Sequence, residues 1–301
     1  MREKEKEKSV CVMDASGPLG RALVARLLHR GYTVHAATYQ PQPEEQQHHP
    51  RLKLFRADPY DYHAIADAVH GCSGLFAIFN TPAPCFEEEE EMMVEAEVRA
   101  AHNILEACAQ TETMERVVFN SSVTAVVWRP EPEERERESA LDETSWSDLS
   151  FCRRFKLWHA LAKTLSEKTA WALAMDRGVD MVAINAGLVT GPGLRLSAAN
   201  PYLKGAPDMY DHGVLVTVDV DFLADAHIAA YECPTAYGRY LCFNHTVCRP
   251  EDAANLAQML LSPRTPAPPS DELKVIPQMI HTKKLNKLML EFTSGIYGDI
   301  N

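Results

Sequence analysis

The sequence lacks several features that would assign it to a class at once. No apolar run approaches the length of a membrane span, and the first residues, MREKEKEKSV, lack the apolar core of a signal peptide. The formal net charge is −12 at pH 7, which argues against nucleic acid as a partner because phosphate binding requires a basic surface. We therefore expect a cytoplasmic protein with no nucleic-acid or membrane partner, whose residues 1–8 form a disordered tail.

Paired cysteines are also absent. None of the 8 cysteines forms a CxxC pair, so the sequence indicates neither a metal site nor a disulfide framework. Reduced thiols are therefore expected. The cysteines are Cys11, Cys72, Cys85, Cys108, Cys152, Cys233, Cys242 and Cys248.

What the chain does contain is a regular alternation of strand and helix patterns. The β-rich run SVCVM is followed by a glycine turn, then by LGRALVARLLHRG with apolar residues at helical spacing, and then by a second strand, YTVHAATY. The alternation continues through the strands RVVFNSS and VDMVAINAG, with a helix predicted between them from about Cys152 to Arg177. This repetition predicts an α/β fold of Rossmann type, a doubly wound parallel sheet with helices on both faces.

The pattern becomes irregular after Gly187, where prolines interrupt it. This change predicts a small C-terminal lobe that binds substrate at the carboxyl edge of the sheet. We expect a dinucleotide-binding domain over residues 9–186, to which residues 214–243 return. The substrate lobe would comprise residues 187–213 and 244–301, including the proline-rich surface connection SPRTPAPPSDE.

The stretch ASGPLG joins the first predicted strand to the first predicted helix. Gly17 and Gly20 would let backbone N–H groups and the helix N-terminus hold a pyrophosphate. Two glycines at such a turn also serve tight packing of a helix on a strand, so the motif alone is a weak signal. Its place directly after the first strand favours a nicotinamide dinucleotide as the cofactor.

Further motifs are more specific in combination. They are VVFNSSVTAVVW, WSDLSFCRRFK, WHALAK, INAGLVTGP and GRYLCFN. Together they resemble the extended short-chain dehydrogenase/reductases. Within that group the chain is similar to the plant branch of cinnamoyl-CoA reductase, dihydroflavonol reductase and a related cinnamyl alcohol dehydrogenase. It is most similar to the cinnamoyl-CoA reductase-like proteins of plants, from Val10 to about Leu290.

The resemblance implies a catalytic serine, tyrosine and lysine. The serine and tyrosine bind the carbonyl oxygen, and the lysine binds the nicotinamide ribose and lowers the pKa of the tyrosine. The corresponding catalytic residues here are Ser122, His159 and Lys163, so a histidine replaces the tyrosine. A histidine can transfer a proton, but a neighbouring lysine disfavours its charged form. Two interpretations stay open: His159 is the working acid, or it only fills the pocket as a hydrogen-bonded ring.

The resemblance also implies NADP(H) as the cofactor, although several departures predict weak binding. Where the family's loop begins Thr-Gly, this chain has Met13 and Asp14, and the Asp14 carboxylate would repel a 2′-phosphate. The arginines that the family uses for this phosphate correspond to His35 and Tyr39, so their charge is lost, although Tyr39 can stack on adenine. Asp58 matches a position that contacts adenine. The expected cofactor-binding residues are Ser16, Gly17, Pro18, Leu19, Gly20, Tyr39, Asp58, Lys163, Ala186 and Leu188.

The substrate region departs from the true cinnamoyl-CoA reductases. Their NWYCYGK stretch corresponds to KLWHALAK, in which Ala160 replaces the cysteine. Their histidine and lysine near the CoA tail correspond to Ala198 and Pro201, so the capture of a CoA phosphate would be weakened. A small phenolic substrate is expected instead, although scattered aromatics are more often part of the core. The expected substrate-binding residues are Tyr202, Met209, Tyr210 and Phe222.

Two functions are compatible with these features. The first is an atypical NADP(H)-dependent reductase of a phenylpropanoid-type aldehyde or ketone, acting as a monomer or homodimer. The second is a catalytically weak or inactive protein of the same fold with a binding or regulatory role in defence. Bound cofactor, together with convergence of Ser122, His159 and Lys163 on one pocket, would favour the enzyme, and an empty or occluded pocket would favour the alternative.

Overall fold

A seven-stranded parallel sheet forms the centre of the molecule. The computed structural model describes residues 8–39, 49–79, 87–130, 140–260 and 275–294. The strand order in the large sheet is β3-β2-β1-β4-β5-β6-β9, with every neighbouring pair parallel. Its strands are β1 (Ser9–Val12), β2 (Thr33–Thr38), β3 (Leu52–Arg56), β4 (Gly74–Ala77), β5 (Arg116–Ser122), β6 (Met181–Ala186) and β9 (Gly238–Cys242).

Helices connect these strands and cover both faces of the sheet. They are α1 (Pro18–His29), α2 (Tyr62–Val69), α3 (Glu87–Ala109), α4 (Thr124–Val127), α5 (Leu149–Arg154), α6 (Trp158–Arg177), α7 (Ala206–Asp211), α8 (Val220–Glu232), α9 (Pro250–Leu260) and α10 (Lys283–Thr293). Within the described part of the chain, none of these helices is both long and apolar enough to cross a membrane.

The topology confirms the predicted Rossmann-type fold. The strand order reverses between β1 and β4, which lie side by side although two strands separate them in the sequence. In open α/β sheets, ligands bind outside the carboxyl ends of the strands at such a reversal. The turn after β1 and the end of β5 therefore open towards the same edge of the sheet.

A second, smaller sheet follows the large one. It contains β7 (Leu188–Thr190), β8 (Val216–Asp219) and β10 (His245–Thr246), in the order β10-β8-β7. Between β8 and β10 the chain returns to the large sheet with α8 and β9. The division into a cofactor domain and a substrate lobe stays a prediction. Within the predicted tail, only Lys8 lies in the described residues, and it pairs with Glu115 at 3.1 Å.

Separate apolar clusters hold the helices against the sheet. On one face α1 and α8 pack with strand residues such as Val34 and Ile184. On the other face α2, α3 and α6 pack with Leu75 and Val117. A third cluster, which includes Leu161, joins the start of α6 to the small sheet and α9. These clusters fix α6 between the large sheet and the C-terminal segments.

The helix predicted from about Cys152 to Arg177 is two helices. Alpha-5 ends at Arg154 and α6 begins at Trp158. Between them Lys156 adopts φ +53°, a left-handed conformation that a continuous helix does not permit. The prediction was wrong here because apolar spacing does not report a single left-handed residue. The break sets the position at which α6 starts.

Buried charge fixes α6 to the sheet. Glu167 is fully buried, and its Oε1 accepts a hydrogen bond from Nε of Arg239 on β9 at 2.7 Å. Its Oε2 accepts hydrogen bonds from Oγ of Ser121 at 2.6 Å and from Nδ2 of Asn185 at 2.7 Å. Arg239 also donates to the carbonyl oxygen of Ser145. The Glu167 carboxylate thereby joins α6 directly to β5, β6 and β9. Through Arg239 it is also linked to the segment that precedes α5.

We predict that Glu167→Gln will lower the free energy of unfolding by about 3–5 kcal/mol, because it leaves the buried Arg239 guanidinium without a compensating charge. Chemical denaturation followed by circular dichroism measures the change. Glu106→Gln is a matched control, since Glu106 pairs with Arg177 across α3 and α6 at 3.3 Å but is partly exposed. The control should cost less than about 1 kcal/mol. Equal losses in the two variants would contradict a special role for Glu167.

Candidate active site

The turn between β1 and α1 has the backbone geometry of a phosphate-binding loop. Asp14 adopts φ +49°, and its carbonyl oxygen accepts a hydrogen bond from the Gly17 N–H at 3.0 Å. A Cβ added to Gly20 would lie 2.1 Å from the Asp14 carbonyl oxygen and 2.7 Å from Cα of Ala15, so only glycine fits there. The turn leads directly into α1, with Pro18 at its first turn. Glycines and a helix N-terminus in this arrangement fit the pyrophosphate of a dinucleotide.

The Asp14 side chain is the departure from that fit. A Cβ on Gly17 would lie 2.5 Å from Oδ2 of Asp14, so the carboxylate lies against the turn. Ser16 Oγ donates to Oδ1 at 3.4 Å. Burial raises the pKa of Asp14, while hydrogen bonds from Ser16 and Gly17 and the charge of Arg21 oppose this rise. The carboxylate thus adds negative charge where a cofactor would place its phosphates.

The remaining residues predicted near the adenosine lie on or after β2 and β3. Tyr39 follows β2 and is 58% exposed. Asp58 follows β3, and its Oδ1 accepts a hydrogen bond from the Tyr60 N–H at 2.9 Å. His35 lies inside β2, where its Nδ1 is 2.7 Å from the carbonyl oxygen of Ala68 in α2. His35 is therefore a buried residue of the core, and its ring is not available to a phosphate.

Ser122 lies at the carboxyl end of β5 and is ordered by its neighbour Thr124. The Thr124 hydroxyl donates to Oγ of Ser122 at 2.9 Å, and the Thr124 N–H donates to the same oxygen at 3.2 Å. Both contacts use Ser122 as an acceptor. Its own proton is then free to be donated into the cavity.

His159 lies in the first turn of α6. Its ring makes an edge-to-face contact with Tyr202, with the ring centroids 6.5 Å apart. Burial and the nearby charge of Lys163 lower the pKa of His159 to about 3. Among the described residues the imidazole has no hydrogen-bond partner, so the prediction of a hydrogen-bonded filler has no support from these contacts. The ring is therefore neutral at pH 7.

Lys163 lies one turn further along α6 and is almost completely buried. Its Nζ forms an ion pair with Oε2 of Glu97 on α3 at 3.1 Å, with the two side chains 5% and 2% exposed. The ammonium also donates to the carbonyl oxygen of Phe79 at 3.4 Å and lies 5.3 Å from the centre of the Phe79 ring. The Lys163 ammonium is therefore already paired with Glu97 where it lines the cavity.

These side chains converge on one cavity of about 340 Å³. Of the residues predicted from the sequence, those that line it are Pro18, Leu19, Ser122, His159, Lys163, Ala186, Leu188, Pro201 and Tyr202. The cavity runs from the start of α1 to the segment after β7. The three candidate catalytic side chains therefore lie around one open cavity.

Three predicted substrate residues do not line this cavity. Met209 is buried in the cluster around the small sheet, and Tyr210 packs against that cluster. Phe222 packs against the cluster on the α1 and α8 face of the large sheet. Ala198 is exposed and is also not among the lining residues. Their spacing in the sequence did not reveal which face of each short element they occupy.

Five polar residues of the cavity were not predicted as site residues, namely Glu97, Asn120, Ser121, Arg195 and Asn200. Glu97 had a signal: it falls at helical spacing between the buried Val94 and Ala101, so a carboxylate occupies the apolar face of α3. No sequence pattern pointed to Asn120, which lies on β5, or to Arg195, which lies on an exposed loop. Within the described residues no cluster of His, Cys, Asp or Glu is arranged to hold a metal ion.

Known proteins are similar to this chain in sequence and in fold. The NAD dependent epimerase/dehydratase family matches residues 10–204. Cinnamoyl-CoA reductase 1 of Petunia hybrida is 37% identical over 94% of this chain and 87% of its own length. The chain belongs to the NAD dependent epimerase/dehydratase family. As predicted, it is a cinnamoyl-CoA reductase-like extended short-chain dehydrogenase/reductase.

Solved structures of other reductases have the same fold. Vestitone reductase from alfalfa (Medicago sativa) is 25% identical, with a TM-score of 0.68 over 93% of this chain and 91% of its own. The yeast methylglyoxal/isovaleraldehyde reductase Gre2, solved with NADPH, is 18% identical, with a TM-score of 0.69 over 93% and 92% of the two chains. The shared fold thus extends beyond residues 10–204 into the C-terminal segments.

We predict that Asp14→Gly will strengthen NADPH binding about tenfold, or ~1.4 kcal/mol, because it removes a negative charge from the turn. Glycine also adopts the positive φ of this position without strain. Asp14→Asn is the matched control, since it keeps the shape and removes only the charge. Calorimetric titration with NADPH and NADH measures both variants. Tight NADPH binding by the unaltered protein, unchanged by either substitution, would contradict this role of Asp14.

Proposed function

We propose that the protein is an atypical NADP(H)-dependent reductase of a phenylpropanoid-type aldehyde or ketone. The observation that carries this proposal is the convergence of Ser122, His159 and Lys163 on one open cavity. Pro18 and Leu19, which begin α1 beside the phosphate turn, line the same cavity. Similarity to the petunia cinnamoyl-CoA reductase supports the reaction class, and the fold shared with the yeast reductase Gre2, solved with NADPH, supports NADP(H) as the cofactor.

Ser122 would hold the substrate carbonyl. When bound, the nicotinamide would supply the hydride that reduces the carbonyl carbon. The carbonyl oxygen gains negative charge as this happens, and the Ser122 hydroxyl is oriented by Thr124 to donate to it. A donor fixed before the reaction stabilises that charge without reorganising.

His159 would contribute less than a tyrosine at the same position. With a pKa of about 3, the fraction of His159 that is protonated at pH 7 is on the order of 10⁻⁴. The neutral ring can donate one hydrogen bond, but its N–H is a far weaker acid than an imidazolium. We therefore propose that His159 orients the carbonyl oxygen and that proton transfer limits the rate.

Lys163 would bind the nicotinamide ribose through the part of its ammonium that Glu97 and Phe79 leave free. Because one partner is a carboxylate, ribose hydroxyls compete with a full negative charge for this donor. This competition adds to the effect of Asp14 and supports weak cofactor binding.

The second candidate is a catalytically weak or inactive member of the family with a binding or regulatory role in defence. The neutral state of His159 and the carboxylate of Asp14 favour it. Titration with NADPH separates the candidates first, because every reductase mechanism requires the cofactor. No binding at millimolar NADPH would favour the second candidate. The cytoplasmic location and the monomeric or dimeric state stay predictions.

We predict that His159→Tyr will raise the rate of NADPH-dependent coniferaldehyde reduction at pH 7 by about tenfold or more, since general acid catalysis typically contributes 10²–10⁴-fold. The introduced phenol carries a proton in the neutral range, and Lys163 favours its ionised form. Steady-state rates across pH measure the gain. His159→Phe is the matched control, because it fills the same space with no proton to donate and should show no gain.

The pH profile distinguishes the two roles of His159. If its imidazolium were the acid, the rate of the unaltered protein would rise as pH falls towards about 3 and would be negligible near neutrality. A substantial neutral-pH rate that drops in His159→Tyr at every pH would show that the histidine is itself the catalyst.

We predict that free aldehydes will be better substrates than CoA thioesters. Ala198 is exposed and apolar, and Pro201 lines the cavity without a charge, so neither position can bind the CoA tail as a basic residue would. Arg195 lines the cavity and is exposed, so Arg195→Ala controls for its charge. Comparison of kcat/KM for coniferaldehyde and feruloyl-CoA tests the ranking. Efficient reduction of feruloyl-CoA would reverse it.

A further inference from the structure

The ion pair between Glu97 and Lys163 is a feature of the cavity that the proposed reaction does not require. The two side chains come from different helices, α3 and α6, and both line the cavity. They meet at 3.1 Å and are nearly free of solvent. A carboxylate so deeply buried is retained only when it is paired, so its place beside Lys163 is strongly constrained.

The pair changes the electrostatics around position 159. A lysine ammonium one helical turn away lowers the pKa of a phenol or imidazole, because it favours the less protonated, more negative form. A carboxylate 3.1 Å from the same ammonium opposes that effect, and in a buried site the opposition is only weakly screened. Burial and the charge of Lys163 lower the pKa of His159, so the ammonium acts on position 159 although it is paired with Glu97.

We propose that Glu97 is a positioning residue of this site: it holds the Lys163 ammonium and offsets the positive charge that Lys163 presents to the proton donor at position 159. The inference rests on the proposed function, because it assigns a role within that active site. The other titratable or charged groups that line the cavity are His159 itself, Tyr202 and Arg195. Burial raises the pKa of Tyr202, which stays neutral, and Arg195 is exposed to solvent, so neither replaces Glu97 beside Lys163.

A phenol placed at position 159 reports this charge directly. In the His159→Tyr background, the pKa of the new phenol is measured by NMR of ¹³C-labelled tyrosine, from the signal that the unaltered protein lacks. Adding Glu97→Gln should lower this pKa by about one unit or more, a tenfold rise in the acid dissociation constant, because Lys163 then acts unopposed. The amide keeps the size of the side chain and one acceptor for the ammonium.

Two further variants make the result specific. Glu106→Gln removes a carboxylate that also joins α3 to α6, through Arg177 at 3.3 Å, but does not line the cavity. It should leave the phenol pKa unchanged. Glu97→Asp keeps the charge and should restore most of the higher pKa. If Glu97→Gln is not recovered as a folded protein, Glu97→Ala, which admits water beside Lys163, should shift the pKa in the same direction.

An unchanged phenol pKa in a folded Glu97→Gln or Glu97→Ala variant would overturn the inference and leave Glu97 a structural role only. A shift of equal size in Glu106→Gln would overturn it as well, since the effect would then not be local. The measurement uses neither cofactor nor turnover. Failure of the proposed function appears separately, as the absence of NADPH binding and of aldehyde reduction in every variant.

Discussion

The buried pair between Glu167 and Arg239 is the constraint on which the site depends. Glu167 is enclosed between α6 and the large sheet, and its two carboxylate oxygens are held by Arg239, Ser121 and Asn185. Ser122 follows Ser121 directly in β5, so the group that anchors the strand end also sets the place of the candidate catalytic serine. A buried network in which both carboxylate oxygens are bound favours one arrangement of its members, because every partner is costly to lose.

Along α6, charge is paired twice on the side that faces the sheet and α3. Lys163 meets Glu97, and one turn later Glu167 meets Arg239. His159, one turn earlier, is neutral. The helix thus brings ionisable groups into the interior while leaving little net charge there. This balance distinguishes the cavity from a strongly cationic one, in which an acid beside Lys163 would ionise readily.

The sequence predicted the fold well because local patterns decide it. Alternating strands and helices imply a parallel sheet, and the residues at the carboxyl ends of its strands must then lie at one edge, which is where Ser122 was found. The sequence could not predict which side chains meet across elements. The contact of Glu97 with Lys163 depends on how α3 packs on α6, and Phe222 lies on the opposite face of the sheet.

The conformation of Lys156 marks another limit of sequence reasoning. Its positive φ ends α5 and allows α6 to begin at Trp158, yet lysine is not a residue that signals a left-handed position. Apolar periodicity alone favoured one long helix, because both segments present apolar residues to the same cluster.

That break has a further effect on the chemistry of the cavity. Because α6 begins at Trp158, position 159 lies beside the first backbone N–H groups of the helix, where the helix dipole has its positive end. No side chain caps this end among the described residues, since Leu157 precedes the helix without an acceptor group. An oxygen that becomes negative next to position 159 is therefore attracted by peptide dipoles that carry no titratable proton. Unlike the charge of Lys163, this attraction does not depend on the protonation of a side chain and so does not change with pH.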